Sequence, residues 1–146
     1  MKFSKILVSV NGGGADKEAV ELACRMARRS KGKVYVIYVI QVKRSLPLEA
    51  NIEPEVQMAE EVLSHAEDAA EEQDYEVETE LLQARQVGSA LVDEVVERNI
   101  DLIVMGLNYK KRFGEFSMGS AVPYVLKNSP CPVLLFREAI PSEPVS

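Results

Sequence analysis

The sequence predicts an α/β protein: an open parallel five-stranded sheet with helices on both faces, a Rossmann-like architecture. Three observations carry that expectation. Five short apolar runs alternate with stretches of helical periodicity, the connections between them are mostly short, and the second run, Val34-Tyr35-Val36-Ile37-Tyr38-Val39-Ile40, has no polar residue at alternate positions. Strands that alternate with helices across short connections pair in parallel through right-handed crossovers. A strand covered on both faces loses its polar alternation.

The first strand is Lys5–Val10, followed by Asn11-Gly12-Gly13-Gly14, a loop of wide backbone freedom. Asp16 reads as the N-cap of a first helix, in which Ala19, Val20, Ala23, Met26 and Ala27 recur at helical spacing. That helix ends near Ser30, and Lys31-Gly32-Lys33 reads as its C-cap turn. After the second strand, residues 41–52 form a polar loop containing Pro47, and Pro54 sits in the first turn of a second helix. Its stripe of Val56, Ala59, Val62, Leu63, Ala66, Ala69 and Ala70 continues to about Gln73.

Tyr75–Leu82 alternates over most of its length, which places the third strand at a sheet edge with one wet face. Leu91, Val92, Val95 and Val96 define a third helix over Ser89–Arg98, and Asn99 is its left-handed cap. The fourth strand, Ile100–Met105, is closed by Gly106 and followed by a long loop over residues 107–118. A short helix starts near Gly119-Ser120, and Pro130-Cys131-Pro132 leads into a fifth strand, Val133–Arg137. Residues 1–140 are read as one domain, and 141–146 as a flexible tail.

Composition narrows the function classes. Of 146 residues, 47% are hydrophobic and 27% charged, which is globular rather than disordered or collagen-like. Two cysteines, Cys24 and Cys131, make no disulfide framework and suit a reducing, cytoplasmic setting. The apolar stretch near Met1 is too short for an export signal, and no run approaches the roughly 18 apolar residues of a membrane span. A net charge of −6 disfavours nucleic-acid binding, which depends on neutralising phosphates. That charge is uneven. Residues 1–44 carry +7, residues 45–84 carry −13 with no Lys or Arg, and the remainder is neutral. The acidic block reads as the outer face of the second helix and the wet face of the third strand; a docking surface for a basic partner is the sharper alternative.

In open parallel sheets ligands bind beyond the carboxyl ends of the strands, where strand order reverses. The loops at 11–15, 40–52, 83–87 and 106–119 therefore matter most. The segment 106–120 leaves a buried strand and enters a helix whose N-terminus offers unpaired N–H groups. Gly119 allows close backbone approach, and the Ser120 hydroxyl can cap the helix or bond a phosphate oxygen. Lys110, Lys111 and Arg112 are candidate phosphate contacts.

The spacing Gly106, two residues, position 109, nine residues, Gly119, Ser120 resembles the C-terminal signature of the universal stress protein family. Asp101-Leu102-Ile103-Val104-Met105-Gly106, Tyr124–Leu134, Ile6–Gly12 and Gly88 ahead of the third helix resemble family phrasing too, in order along essentially the whole chain. The resemblance implies strand order 3-2-1-4-5 and a homodimer formed through the fifth strand, Val133–Arg137. It also implies ATP, AMP or another adenine nucleotide, with or without Mg2+, held across the ends of strands one and four. Carried over by position, Gly106 would contact ribose or phosphate, Gly119 and Ser120 would cradle phosphates, Ala121 and Val122 would add backbone N–H groups, and Val39 would line the adenine pocket. Three positions depart from the pattern. Tyr109 replaces the second signature glycine and narrows the triphosphate path, Asn11 replaces an acidic residue, and Ser9 replaces a common proline. Asn11 offers hydrogen bonds but brings no charge to a ribose or metal.

The expected function is therefore a nucleotide-binding stress-response regulator rather than an enzyme, with ATP hydrolysis at most slow and incidental. The alternative is a nucleotide-independent dimeric interaction protein, with Asn11 and Tyr109 marking a degenerate site. Competing sites fare worse. No GxxxxGK[ST] phosphate loop is present, and the Asn11–Asp16 loop lacks the Ser-Gly-Gly-x-Asp-Ser order of ATP pyrophosphatases. His65 reads as a solvated surface residue, no transition-metal site is expected, and both cysteines read as buried, inert thiols. No nucleophile–base pair can be named.

Overall fold

Ile6, Leu7 and Val8 are all fully buried, and that triple marks the centre of the molecule. They belong to β1 (Lys5–Ser9), which is followed along the chain by α1 (Asp16–Arg28), β2 (Lys33–Gln41), α2 (Glu53–Glu72), β3 (Glu78–Ala84), α3 (Val87–Glu97), β4 (Leu102–Leu107), β5 (Lys111–Arg112), β6 (Glu115–Phe116), α4 (Ala121–Asn128) and β7 (Val133–Arg137). The structure, a computed structural model, describes residues 2–108, 111–112, 115–116 and 119–140, with the backbone alone at 111–112 and 115–116. Tyr109, Lys110, the side chains of Lys111 and Arg112, and the 141–146 tail therefore lie outside the described residues.

The main sheet is five-stranded and all-parallel, in the order β3-β2-β1-β4-β7. This is the expected 3-2-1-4-5 arrangement when the sheet strands alone are counted. Successive side chains of a strand point to opposite faces. Ile6 and Val8, with Val34, Val36, Leu102 and Val104, pack under α1 and α2. Leu7, with Tyr35, Ile37, Ile103 and Met105, packs under α3 and α4. Both faces are covered, so the central strands read as uninterrupted apolar runs.

Three helices turn into the following strand by one device. Gly32 N–H donates to Ala27 C=O at 2.9 Å, Tyr75 N–H to Ala70 C=O at 3.0 Å and Ile100 N–H to Val95 C=O at 3.0 Å. The residue before each donor, Lys31, Asp74 or Asn99, takes a left-handed φ of 54°, 52° or 53°. This is the Schellman motif, which satisfies helix-end carbonyls at the expense of an unfavourable φ. Asn99 matches its expected role. At the first turn Lys31, not Gly32, is left-handed, and Gly32 serves a different need. A Cβ there would lie 2.4 Å from the carbonyl oxygen of Phe3.

Several boundaries differ from expectation for identifiable reasons. Asp16 is the first residue of α1 and Ala15 is the N-cap, because the Asp16 carboxylate turns back onto the preceding loop. β3 starts at Glu78 rather than Tyr75, since Tyr75 completes the turn after α2 and donates its hydroxyl to Gly32 C=O. α3 begins at Val87, so Gly88 lies inside it; a Cβ there would stand 2.9 Å from Cβ of Tyr124 on α4. β4 runs through Gly106 to Leu107, and the segment read as a plain loop holds the antiparallel β5–β6 ladder. Cys24 is buried, and burial pushes its thiol up to about 11, whereas Cys131 is only half-buried. Every carboxylate of the 45–84 block except Glu80 is exposed.

Candidate functional site

Strand order reverses between β1 and β4, and a cleft of about 660 Å3 opens there at their carboxyl ends. Ligand pockets commonly fall between about 300 and 1,000 Å3. β1 and its exit contribute Ser9, Val10 and Asn11, β2 contributes Tyr38, Val39 and Gln41, and β4 with its exit contributes Met105, Gly106, Leu107 and Asn108. The start of α3 adds Gln86–Ser89, while Gly119, Ser120, Ala121, Val122 and Tyr124 complete the wall at α4.

Gly106 stands where β4 passes the start of α1. A Cβ would meet that of Ala15 at 3.0 Å, so glycine keeps the two elements in contact. Beyond it, Asn108 reaches across to the glycine-rich loop. Its Oδ1 accepts the Ala15 N–H at 3.1 Å, and its amide lies where a Cβ on Gly13 would collide. The loop is closed from within as well. The Asp16 carboxylate accepts the N–H groups of Gly12 at 2.7 Å and Asn11 at 3.3 Å, while Asn11 Oδ1 accepts the Gly13 N–H at 2.9 Å. Burial raises the Asp16 carboxyl above its ordinary value, and the loop N–H groups only partly oppose that.

The N-terminus of α4 is arranged in the opposite way. Ser120 occupies the N-cap position, yet its hydroxyl makes no capping hydrogen bond. The first intrahelical bond runs from Tyr124 N–H to Ser120 C=O at 3.4 Å. The preceding amides of Ala121 and Val122 therefore have no acceptor within the helix, and Pro123 has no N–H. Gly119 turns the chain into this helix with φ of 71°; nothing lies within 4 Å of a Cβ added there, so its backbone angle alone calls for glycine. Amides at the first turn of a helix, together with its dipole end, suit an anion.

Ser9, Asn11, Val39, Gly106, Gly119, Ser120, Ala121 and Val122 thus all line one cleft. Tyr109, Lys110 and the side chains of Lys111 and Arg112 cannot be placed against it, being outside the described residues. Reasoning on the sequence missed Asn108, Tyr38, Gln41 and Gln86. The last two belong to loops that topology singles out, and Gln41 Nε2 ties them together by donating to Arg85 C=O at 3.1 Å. Asn108 carried a usable signal, a side-chain amide two residues beyond a strand-end glycine. His65 is exposed, as expected, and borders a second cavity of about 430 Å3 between the glycine-rich loop and α2. Asn11 brings no charge to a Mg2+, and among the described residues no three His, Cys, Asp or Glu converge to hold a metal ion.

The model of the universal stress protein family matches residues 2–137. A universal stress protein of Methanocaldococcus jannaschii is 30% identical over 142 residues, which span 93% of this chain and 83% of that one. Among solved structures, a universal stress protein from Archaeoglobus fulgidus in complex with dAMP is 23% identical, covering 92% of this chain and 98% of that chain with a TM-score of 0.72. A family protein from Arabidopsis thaliana with AMP bound is 17% identical, covering 93% and 92% with a TM-score of 0.66. At these identities the structural likeness speaks to the fold alone.

Proposed function

This chain belongs to the universal stress protein family, and from that premise we propose that it is a stress-response regulator binding an adenine nucleotide, ATP or AMP, across the ends of β1 and β4. One observation carries the reading: the cleft at the point of strand reversal gathers eight residues singled out from the sequence and ends on the N-terminus of α4, whose first amides have no acceptor within the helix. In this reading Val39 faces the base, Gly106 the ribose, and Ser120 with the Ala121 and Val122 amides the phosphate. The dAMP and AMP held by two structural relatives support the class of ligand.

The proposed role is cytoplasmic binding and signalling rather than turnover, with ATP hydrolysis slow and incidental. A homodimer through β7 accompanies it. That strand is a sheet edge, and Val133, Leu134, Leu135 and Phe136 are only half-buried.

The test is mass spectrometry of what the denatured protein releases, with calorimetry against ATP, AMP and cyclic AMP. Binding of at least one nucleotide, weakened about tenfold in Ser120→Ala by loss of a hydrogen bond to a charged group, is the expected result. No released nucleotide and no heat with any of the three would favour the nucleotide-independent alternative.

A further inference from the structure

Resting on the nucleotide reading above, we infer that Asn108 is a positioning residue: it latches the two walls of the cleft at a fixed spacing, and Gly13 is glycine in order to seat it. The backbone ladder between β1 and β4 ends at the pair Ser9 and Met105. The cleft lies beyond that pair, with Val10 and Asn11 on one wall and Gly106, Leu107 and Asn108 on the other. Past the ladder, among the described residues, the hydrogen bond that joins the two sides comes from a side chain. The Ala15 N–H donates to Asn108 Oδ1 at 3.1 Å, at a residue that is itself buried.

Ala15 meets β4 twice. Gly106 passes so near that a Cβ there would stand 3.0 Å from the Ala15 Cβ, and two residues later Asn108 takes the Ala15 amide. The Asn108 amide group then fills the space over Gly13, where an added Cβ would overlap its Nδ2, Oδ1 and Cγ. Neighbouring glycines of the loop therefore serve different ends. Gly12 takes a φ of 86°, which favours glycine by its backbone angle, whereas Gly13 is not left-handed and is glycine for room. An alanine at position 13 suits the backbone, and the group that must give way is the end of the Asn108 side chain. A nucleotide held across the ends of β1 and β4 touches both walls, so its contacts depend on their spacing. A spacing set in advance spares the ligand the cost of ordering it.

Calorimetry on the full chain with ATP and AMP tests this through a double-mutant cycle. Asn108→Ala is expected to lower affinity about fivefold, the net worth of one hydrogen bond. Gly13→Ala leaves every polar group in the chain but pushes the Asn108 amide off Ala15, and is expected to match that loss. The two losses do not add: on the Asn108→Ala background, Gly13→Ala changes affinity by no more than about twofold, because no amide is left to displace. In each single variant the Ala15 amide loses protection from hydrogen exchange, while circular dichroism stays native. Losses that multiply in the double variant would show that Gly13 acts apart from Asn108, and overturn the latch. Native affinity in both single variants, with Ala15 protection lost, overturns the positioning role and leaves nucleotide binding standing. No heat with either nucleotide from the native chain overturns the nucleotide reading, and this role with it.

Discussion

The two ends of the sheet solve the same problem in opposite ways. At the amino end α1, α2 and α3 each run into the next strand through a left-handed residue and a Schellman pair, and other groups are tied across the gap. Asp101 accepts the Ser4 N–H at 2.9 Å, and Ser30 Oγ donates to Phe3 C=O at 2.7 Å. At the carboxyl end the loop before α1 is sealed by Asp16, while the first amides of α4 have no acceptor within their own helix. Helix termini always leave orphan groups. The difference lies in the local sequence: Asp16 turns back onto its loop, whereas Ser120 in Gly119-Ser120-Ala121-Val122-Pro123 makes no side-chain cap.

Substitutions at the two ends can break that contrast. The largest effect is expected at the closed end. Gly32→Val forces a branched side chain against the Phe3 carbonyl and costs about 3 kcal/mol, as overpacking does. In a thermal melt this lowers Tm by roughly 10 °C, with nucleotide affinity of the folded protein unchanged. An unchanged Tm would show that the amino end is not tightly closed. At the open end the outcome reverses. Gly119→Val places a β-branched residue at φ of 71° and misdirects the α4 amides. Calorimetry should show affinity falling about thirtyfold, near the 2 kcal/mol of a charge-assisted bond, with a smaller loss of stability than in Gly32→Val, from the strained φ alone. Full affinity in this variant would mean that the phosphate lies elsewhere.

The smallest effect concerns Asp16. Burial raises its carboxyl above the ordinary 3.8, so its contribution to stability is greatest when protonated and declines as pH rises through its folded value. Urea melts should therefore show Asp16→Asn gaining on the native chain between about pH 3 and pH 7. A variant that instead loses ground with rising pH would show that the loop N–H groups outweigh burial.

Fold class was legible because apolar runs such as Val34–Ile40 report coverage on both faces, a property of a strand's own residues. The ends of elements were less legible, because they depend on partners distant in the chain. Tyr75 leaves the β3 ladder because its hydroxyl reaches Gly32, and Gly88 enters α3 because Tyr124 packs there. Asp16 has the composition of an N-cap and the position of a loop clasp, and only the return of its carboxylate to Gly12 distinguishes them. At the cleft, glycine spacing pointed to Gly106 and Gly119, but a lone amide such as Asn108 acquires meaning only when Ala15 is seen beside it.

The sheet's two borders differ in what they can accept. β3 carries Glu78 and Glu80 along its outer edge, with Arg98 clasping Glu80 to Glu94 on α3, whereas β7 presents Val133–Phe136 with no charge among them. Charged edges resist added strands and apolar ones invite them. In the pairing proposed above each chain would have a valence of one. Two copies joined at β7 would expose acidic β3 at both outer limits, so growth by strand addition ends at a pair instead of running on into a fibre.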